Sequence, residues 1–150
     1  MLHIILATHA GLGKAMLETA AIISGGTEGV RTIELYPGQG AENVEDALQK
    51  ELAAIKKGDQ VLCLVDIPGG SPARVATGLT PETPDLHVVS GLNLGMLTEA
   101  LLLKDSMDIV ALKEHIMTVA AETIADLGEL LQTSLSGGSK TDEKKVGGQI

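Results

Sequence analysis

Aromatic side chains are almost absent from the sequence, which contains no phenylalanine, no tryptophan and a single tyrosine, Tyr36. Basic side chains are also scarce: 11 Lys and Arg residues against 20 Asp and Glu residues leave a net charge of −9. Proteins that bind nucleic acids neutralise phosphates with Lys and Arg and, for single strands, stack bases on aromatic rings. The composition therefore argues against nucleic-acid binding and favours a protein partner with a positive docking face.

A single cysteine, Cys63, lies inside the apolar run VLCLV. One cysteine cannot build a disulfide framework or a cysteine-ligated zinc site, so we expect a buried, unreactive thiol. Apolar runs are short as well. None approaches the roughly 20 residues of a membrane-spanning helix, and the amino terminus lacks the basic start of a signal peptide. Since 44% of the 150 residues are apolar, we expect one soluble, cytoplasmic domain with an aliphatic core.

Short apolar runs alternate with segments of helical periodicity. The runs predict strands, and the spaced apolar residues between them predict helices. The predicted strands cover residues 2–7, 30–36, 60–66 and 86–90, and the predicted helices cover about 12–23, 41–57, 71–77, 94–103 and 107–131. This order indicates an α/β fold: a doubly wound, mainly parallel four-stranded sheet with helices on both faces. We take the strand order as 2-1-3-4 from common doubly wound topologies.

The sequence after residue 133 is polar and glycine-rich, without a sustained period. We therefore expect a domain over residues 1–133 and a flexible tail or linker remnant over residues 134–150.

The first and third predicted strands are both followed by residues that favour turns. His9 follows the first strand, and the stretch DIPGGS, from Asp66 to Ser71, follows the third. In the order 2-1-3-4 these strands are neighbours, so their carboxyl ends meet at one crevice, where ligands of such sheets bind. An imidazole that attacks phosphorus needs a lone pair on one ring nitrogen and a proton on the other. A carboxylate that accepts this N–H fixes the tautomer, and Asp66 is the candidate for His9.

The same loop offers donors for phosphoryl oxygens. The backbone amides of Gly69 and Gly70 and the hydroxyl of Ser71 precede a predicted helix, whose amino terminus favours anions. Each group also has a structural explanation. His9 is equally a polar strand end, Asp66 a cap of the following turn, and Ser71 the N-cap of a helix that begins with proline.

The remaining polar residues of interest fit structural roles. His3 and His87 lie within strands, and His115 lies beside the apolar stripe of the last helix. Arg74, one turn into the third helix, could reach an anion, but a solvated surface position is the simpler assignment.

Two other site types fit the motifs poorly. The GLGK of residues 11–14 resembles a nucleotide-binding P-loop, but that motif requires glycine where Thr8 stands and Ser or Thr where Ala15 stands. The GGSPA of residues 69–73 resembles a hydrolase nucleophile elbow. There the residue after the serine donates its N–H to the oxyanion, and Pro72 has none.

Three stretches together resemble the enzyme IIA component of the mannose/fructose/sorbose class of the bacterial phosphoenolpyruvate:sugar phosphotransferase system (PTS). They are ILATHAGLGKAML, VLCLVDIPGGSPARVA and VVSGLNLGMLTEALL. The resemblance covers roughly residues 1–133, and the pairing of T-H-x-G with V-D-x-x-G-G-S-P is its specific part. Gly95 departs from the family pattern, which has proline in this place.

The resemblance implies a function and partners. His9 would take a phosphoryl group from the histidine phosphocarrier HPr and pass it to the cognate enzyme IIB, while the membrane components IIC and IID are engaged only indirectly. Asp66 would orient His9, and Ser71 would lie beside the phosphoryl group. No metal or other cofactor is implied.

The family fold also implies a homodimer that exchanges a carboxyl-terminal segment as an antiparallel edge strand. The composition of residues 128–135 is a poor match for such a strand. An alternative function is a regulatory enzyme-IIA-like module, or the phosphodonor of a dihydroxyacetone kinase, acting on a partner outside transport. The sugar is not specified by this sequence.

Overall fold

A computed structural model describes residues 1–137, and the last 13 of the 150 residues lie outside its described part. Over residues 1–137 the chain forms four strands and six helices. In chain order they are β1 (Leu2–His9), α1 (Leu12–Ser24), β2 (Val30–Leu35), α2 (Ala41–Ala54), β3 (Gln60–Val65), α3 (Ser71–Leu79), β4 (Leu86–Ser90), α4 (Leu94–Leu103), α5 (Ile109–Glu122) and α6 (Leu127–Gly137). None of these helices is both long and apolar enough to cross a membrane.

The sheet has the order β2-β1-β3-β4 with every neighbouring pair parallel, which confirms the predicted fold and strand order. Strand β1 is central, and Ala7 near its carboxyl end lies opposite Val65, the last residue of β3. The residues that follow β1 and β3 therefore leave the same edge of the sheet side by side.

Two aliphatic clusters cover the two faces of the sheet. Because successive side chains of a strand point to opposite faces, Ile4 and Leu6 pack with α1, α4 and α5, while Ile5 and Ala7 pack with α2 and α3. Residues from Ile4 to Ala7 are fully buried. This burial on both faces explains why β1 is continuously apolar and gives the carboxyl edge of the sheet a rigid base.

Cys63 lies in β3 with no exposed surface, as expected from its apolar surroundings. Burial raises the pKa of its thiol to about 12, so the reactive thiolate is absent at neutral pH. We predict that a disulfide reagent labels Cys63 of the native protein about 1,000-fold or more slowly than the denatured chain, since labelling must wait for unfolding. Absorbance of the released thiol measures both rates, and similar rates would contradict the burial of Cys63.

The long helix predicted over residues 107–131 is wrong, because two helices occupy this stretch. Helix α5 begins after Asp108, whose side chain accepts the N–H of Val110 and of Ala111. It ends before Thr123, and Asp126 then accepts the N–H of Glu129 at 3.1 Å. Asp126 thus has the position and bonding of an N-cap, and this local capping overrides the continuous apolar period.

Helix α6 continues to Gly137 and contains no buried residue. Residues 128–135 are therefore helical in this single chain. The predicted tail of residues 134–150 begins inside α6, and its part beyond residue 137 lies outside the described residues.

Candidate active site at the carboxyl edge of the sheet

A tight turn holds His9 at the end of β1. Ala10 adopts a left-handed conformation with a φ of 47°, and its N–H donates to the carbonyl of Leu35 on β2 at 2.9 Å. The hydroxyl oxygen of Thr8 accepts the N–H of Gly13 at 2.9 Å at the start of α1. Thr8 is completely buried. These bonds fix the chain on both sides of His9, so its imidazole leaves the sheet in a defined direction.

Asp66, the first residue after β3, binds His9 twice. One carboxylate oxygen, Oδ2, accepts the backbone N–H of His9 at 2.8 Å and lies 2.8 Å from the ring nitrogen Nδ1. The other oxygen, Oδ1, accepts the N–H of Ile67 at 2.9 Å. Burial of the carboxyl group opposes its ionisation, but the hydrogen bonds from His9 and Ile67 outweigh burial and hold the pKa of Asp66 below its usual value.

This arrangement selects one tautomer of His9. An ionised carboxylate only accepts hydrogen bonds, so the proton of the neutral imidazole belongs on Nδ1 and the lone pair on Nε2. The side chain of His9 is 42% exposed, whereas that of Asp66 is 9% exposed. The structure thus combines a partly buried orienting carboxylate with an imidazole whose side chain is partly exposed and whose free lone pair is on Nε2.

Gly70 packs directly against the imidazole. A Cβ atom built on Gly70 would lie 2.5 Å from Cε1 of His9 and 3.3 Å from Nε2. The loop after β3 therefore reaches over the ring only because residue 70 has no side chain. In contrast, a Cβ on Gly69 would meet no atom within 4 Å. Of the two glycines that the sequence analysis treats alike, only Gly70 has a steric requirement.

We predict that Gly70→Ala displaces the His9 ring or the loop and slows chemistry at Nε2 roughly tenfold to 100-fold, since small misplacements of reacting groups carry large rate costs. The matched variant Gly69→Ala has free space and should react at the wild-type rate. Rates of phosphoryl transfer, measured beside circular dichroism spectra of both folded variants, make the comparison. Equal rates for the two variants would contradict the steric role of Gly70.

Ser71 is the first residue of α3, and Gly70 occupies the N-cap position with extended backbone angles. The prediction that Ser71 is the N-cap and Pro72 the first helical residue is therefore wrong by one position, because Ser71 begins the helix and Pro72 is its second residue. Proline is tolerated at several places in that turn because no intrahelical N–H bond is required there. The Ser71 hydroxyl oxygen does not cap the helix and accepts a hydrogen bond from the guanidinium of Arg74 at 3.3 Å.

The other three histidines lie away from this edge of the sheet. Nε2 of His3 lies 3.0 Å from Asp59, at the amino end of β1, and Nε2 of His115 lies 2.8 Å from Glu99, between α5 and α4. Nδ1 of His87 faces Lys113 at 3.2 Å. Within residues 1–137, no group of three or more His, Cys, Asp or Glu side chains has the geometry of a metal site.

Comparisons with known proteins give consistent matches. Residues 3–117 match a family model described as the PTS system fructose IIA component. The chain is 33% identical over 102 residues to the mannose-specific EIIAB component of the PTS of Escherichia coli K12, which covers 68% of this chain and 32% of that protein. It is 29% identical over 122 residues to the sorbose-specific EIIA component of Klebsiella pneumoniae, covering 81% and 89% of the two chains.

A solved structure also matches. The crystal structure of the phosphotransferase system component EIIA from Streptococcus agalactiae superposes with a TM-score of 0.79 at 32% identity and covers 86% of this chain and 99% of that chain. This chain spans about one third of the length of the Escherichia coli relative.

Proposed function

Since the chain belongs to the mannose/fructose/sorbose family of PTS enzyme IIA components, we propose that it is a phosphohistidine relay protein with His9 as the phosphorylated residue. In this proposal His9 accepts a phosphoryl group from phospho-HPr and passes it to the cognate enzyme IIB for sugar uptake. The observation that carries the proposal is the pairing of Nδ1 with the partly buried carboxylate of Asp66, which leaves the lone pair on Nε2 of a side chain that is 42% exposed.

The transfer replaces one phosphorus–nitrogen bond with another of the same type. The lone pair of Nε2 forms a bond to phosphorus while the phosphorus–nitrogen bond of the donor phosphohistidine breaks and returns its electrons to the donor ring. The ring of His9 becomes positively charged as the new bond forms, and the Asp66 carboxylate at 2.8 Å compensates this charge. Transfer to enzyme IIB repeats the step with His9 as donor. Because a weak phosphorus–nitrogen bond is exchanged, catalysis rests on positioning and electrostatics.

Hydrogen-bond donors at the start of α3 could bind the phosphoryl oxygens. We assign phosphate binding to the backbone amides of Gly69 and Gly70 and to the hydroxyl of Ser71, since Gly70 lies against the ring carbon next to Nε2. The amino terminus of α3 adds a favourable dipole for the incoming anion.

Exposed apolar side chains at the same edge support docking of partner proteins there. Leu12, Tyr36 and Ile67 follow β1, β2 and β3 and are 43%, 45% and 54% exposed. They would contact HPr and enzyme IIB in turn, and the acidic character of the chain would attract a basic partner face. We further propose a cytoplasmic location and a homodimer, as the family resemblance implies. The sugar would be selected by the partner components.

The test is to incubate the protein with phosphoenolpyruvate, enzyme I and HPr and to record its intact mass. We expect one phosphoryl group that is lost in acid and retained in base, followed by its appearance on enzyme IIB when that protein is added. Absence of labelling, while phospho-HPr forms normally, would overturn the relay. Labelling without transfer to any enzyme IIB would instead indicate a regulatory module.

A further inference from the structure

Arg74 is one of two arginines in the chain, and it lies one helical turn beyond Ser71 on the exposed face of α3. Its Nη2 donates to the hydroxyl oxygen of Ser71 at 3.3 Å. Arg74 forms no ion pair with a carboxylate of residues 1–137, although Glu45 borders the same groove between α2 and α3. Although the chain is strongly acidic, the guanidinium of Arg74 contacts the neutral hydroxyl of Ser71 and not a carboxylate of residues 1–137.

The contact with Arg74 uses one acceptor lone pair of the Ser71 hydroxyl and leaves its O–H proton free to donate. A hydroxyl carries one O–H donor and two acceptor lone pairs. When the guanidinium of Arg74 occupies a lone pair, the oxygen is held and its proton remains available for a different acceptor. A charged donor also polarises the O–H bond, which strengthens the hydrogen bond that the hydroxyl then donates. Ser71 directly follows Gly70, which packs against Cε1 of His9, so a phosphoryl group on Nε2 would be a new acceptor next to this part of the loop.

We propose that Arg74 is a positioning residue for phosphoryl transfer, which holds Ser71 so that its hydroxyl donates to the phosphoryl group on His9. This inference rests on the proposed function of His9 and adds a role for a residue that the sequence assigns to a solvated helix face. Arg74 acts through Ser71, not through contact with the phosphoryl group. Its effect on the transfer rate must therefore disappear when Ser71 has no hydroxyl.

The experiment is a double-mutant cycle on the full chain, with the variants Arg74→Gln, Ser71→Ala and both together. Single-turnover transfer from phospho-HPr gives the maximal rate and the HPr concentration for half that rate. We expect Arg74→Gln to lower the maximal rate about tenfold, the cost of a lost charge-assisted hydrogen bond, without changing the half-saturating concentration. In the Ser71→Ala background the same substitution should change neither value. Arg74→Lys should restore part of the rate, because lysine keeps a charged donor.

The control variant is Arg31→Gln, which removes the other arginine. Arg31 lies near the amino end of β2 and pairs with Glu51 at 3.6 Å, so its loss changes the net charge equally but leaves the site intact. A wild-type rate in Arg74→Gln would overturn the inference. An equal loss in both Ser71 backgrounds would overturn it too, as would a rise in the half-saturating concentration alone, which would assign Arg74 to docking. Failure of the wild-type protein to accept a phosphoryl group would instead remove the proposed function itself.

Discussion

Replacement of His9 by alanine is expected to abolish phosphorylation of the chain completely. The substitution removes the only imidazole at the carboxyl edge of the sheet within the described residues, while the backbone N–H that binds Asp66 remains. No neighbouring side chain can replace it, because Ser71 and the exposed Tyr36 carry hydroxyl oxygens rather than a ring nitrogen. Intact-mass spectrometry after incubation with phosphoenolpyruvate, enzyme I and HPr should show unmodified protein.

His115→Gln is the matched control for this prediction. His115 is also paired with a carboxylate at 2.8 Å, and its side chain is 38% exposed, close to the 42% of His9. It differs in the nitrogen that is engaged, since Glu99 binds Nε2, and in its location between α4 and α5. The control should be phosphorylated like the wild type. Labelling that persists in His9→Ala and disappears in His115→Gln would move the reactive site to α5.

Replacement of Asp66 by asparagine is expected to slow phosphoryl transfer about 100-fold or more, with the fold preserved. The amide is nearly isosteric with the carboxylate, but it is neutral and cannot compensate the charge that develops on His9. Its NH2 group can also donate to Nδ1, which would place the ring proton on Nε2 and remove the attacking lone pair. Rapid-quench measurement of the transfer from phospho-HPr gives the rate.

Asp59→Asn provides the control for Asp66. Asp59 pairs with His3 at the opposite end of the same two strands, and its contacts with the amino-terminal ammonium group and with His3 lower its pKa. Its replacement removes a histidine–carboxylate pair without touching the candidate site, so transfer should stay at the wild-type rate. Equal rates for Asp66→Asn and the wild type would show that Asp66 has no part in orienting the nucleophile.

The fold could be predicted from the sequence because the features that mark its strands and helices are local. Apolar runs and glycine-containing turns mark the four strands, and the parallel order follows from their alternation with helices. The meeting of His9 and Asp66 was accessible for the same reason, once the first and third strands were taken as neighbours. The break after α5 was missed because one aspartate, Asp126, outweighs a continuous apolar stripe.

Other parts of the site depend on contacts between residues that are far apart in the chain, and the spacing of residues in the sequence does not reveal these contacts. The steric demand at Gly70 arises because the His9 ring, from a different strand, lies against it. The buried Thr8 is visible as a threonine beside the histidine, yet its bond to Gly13 depends on the turn through Ala10. The role of Ser71 as a hydrogen-bond acceptor for Arg74 required side-chain positions, since both residues are also common on helix surfaces.

The Asp66–His9 contact joins two segments that are 57 residues apart in the chain. The proposed nucleophile and its orienting carboxylate therefore come together only when β1 and β3 are already paired. A ribosome-bound chain that has emerged only as far as α2 carries His9 without its carboxylate. Under the proposed function, phosphorylation of His9 would report that the centre of the sheet is assembled, and incomplete copies would not divert phosphoryl groups from the relay.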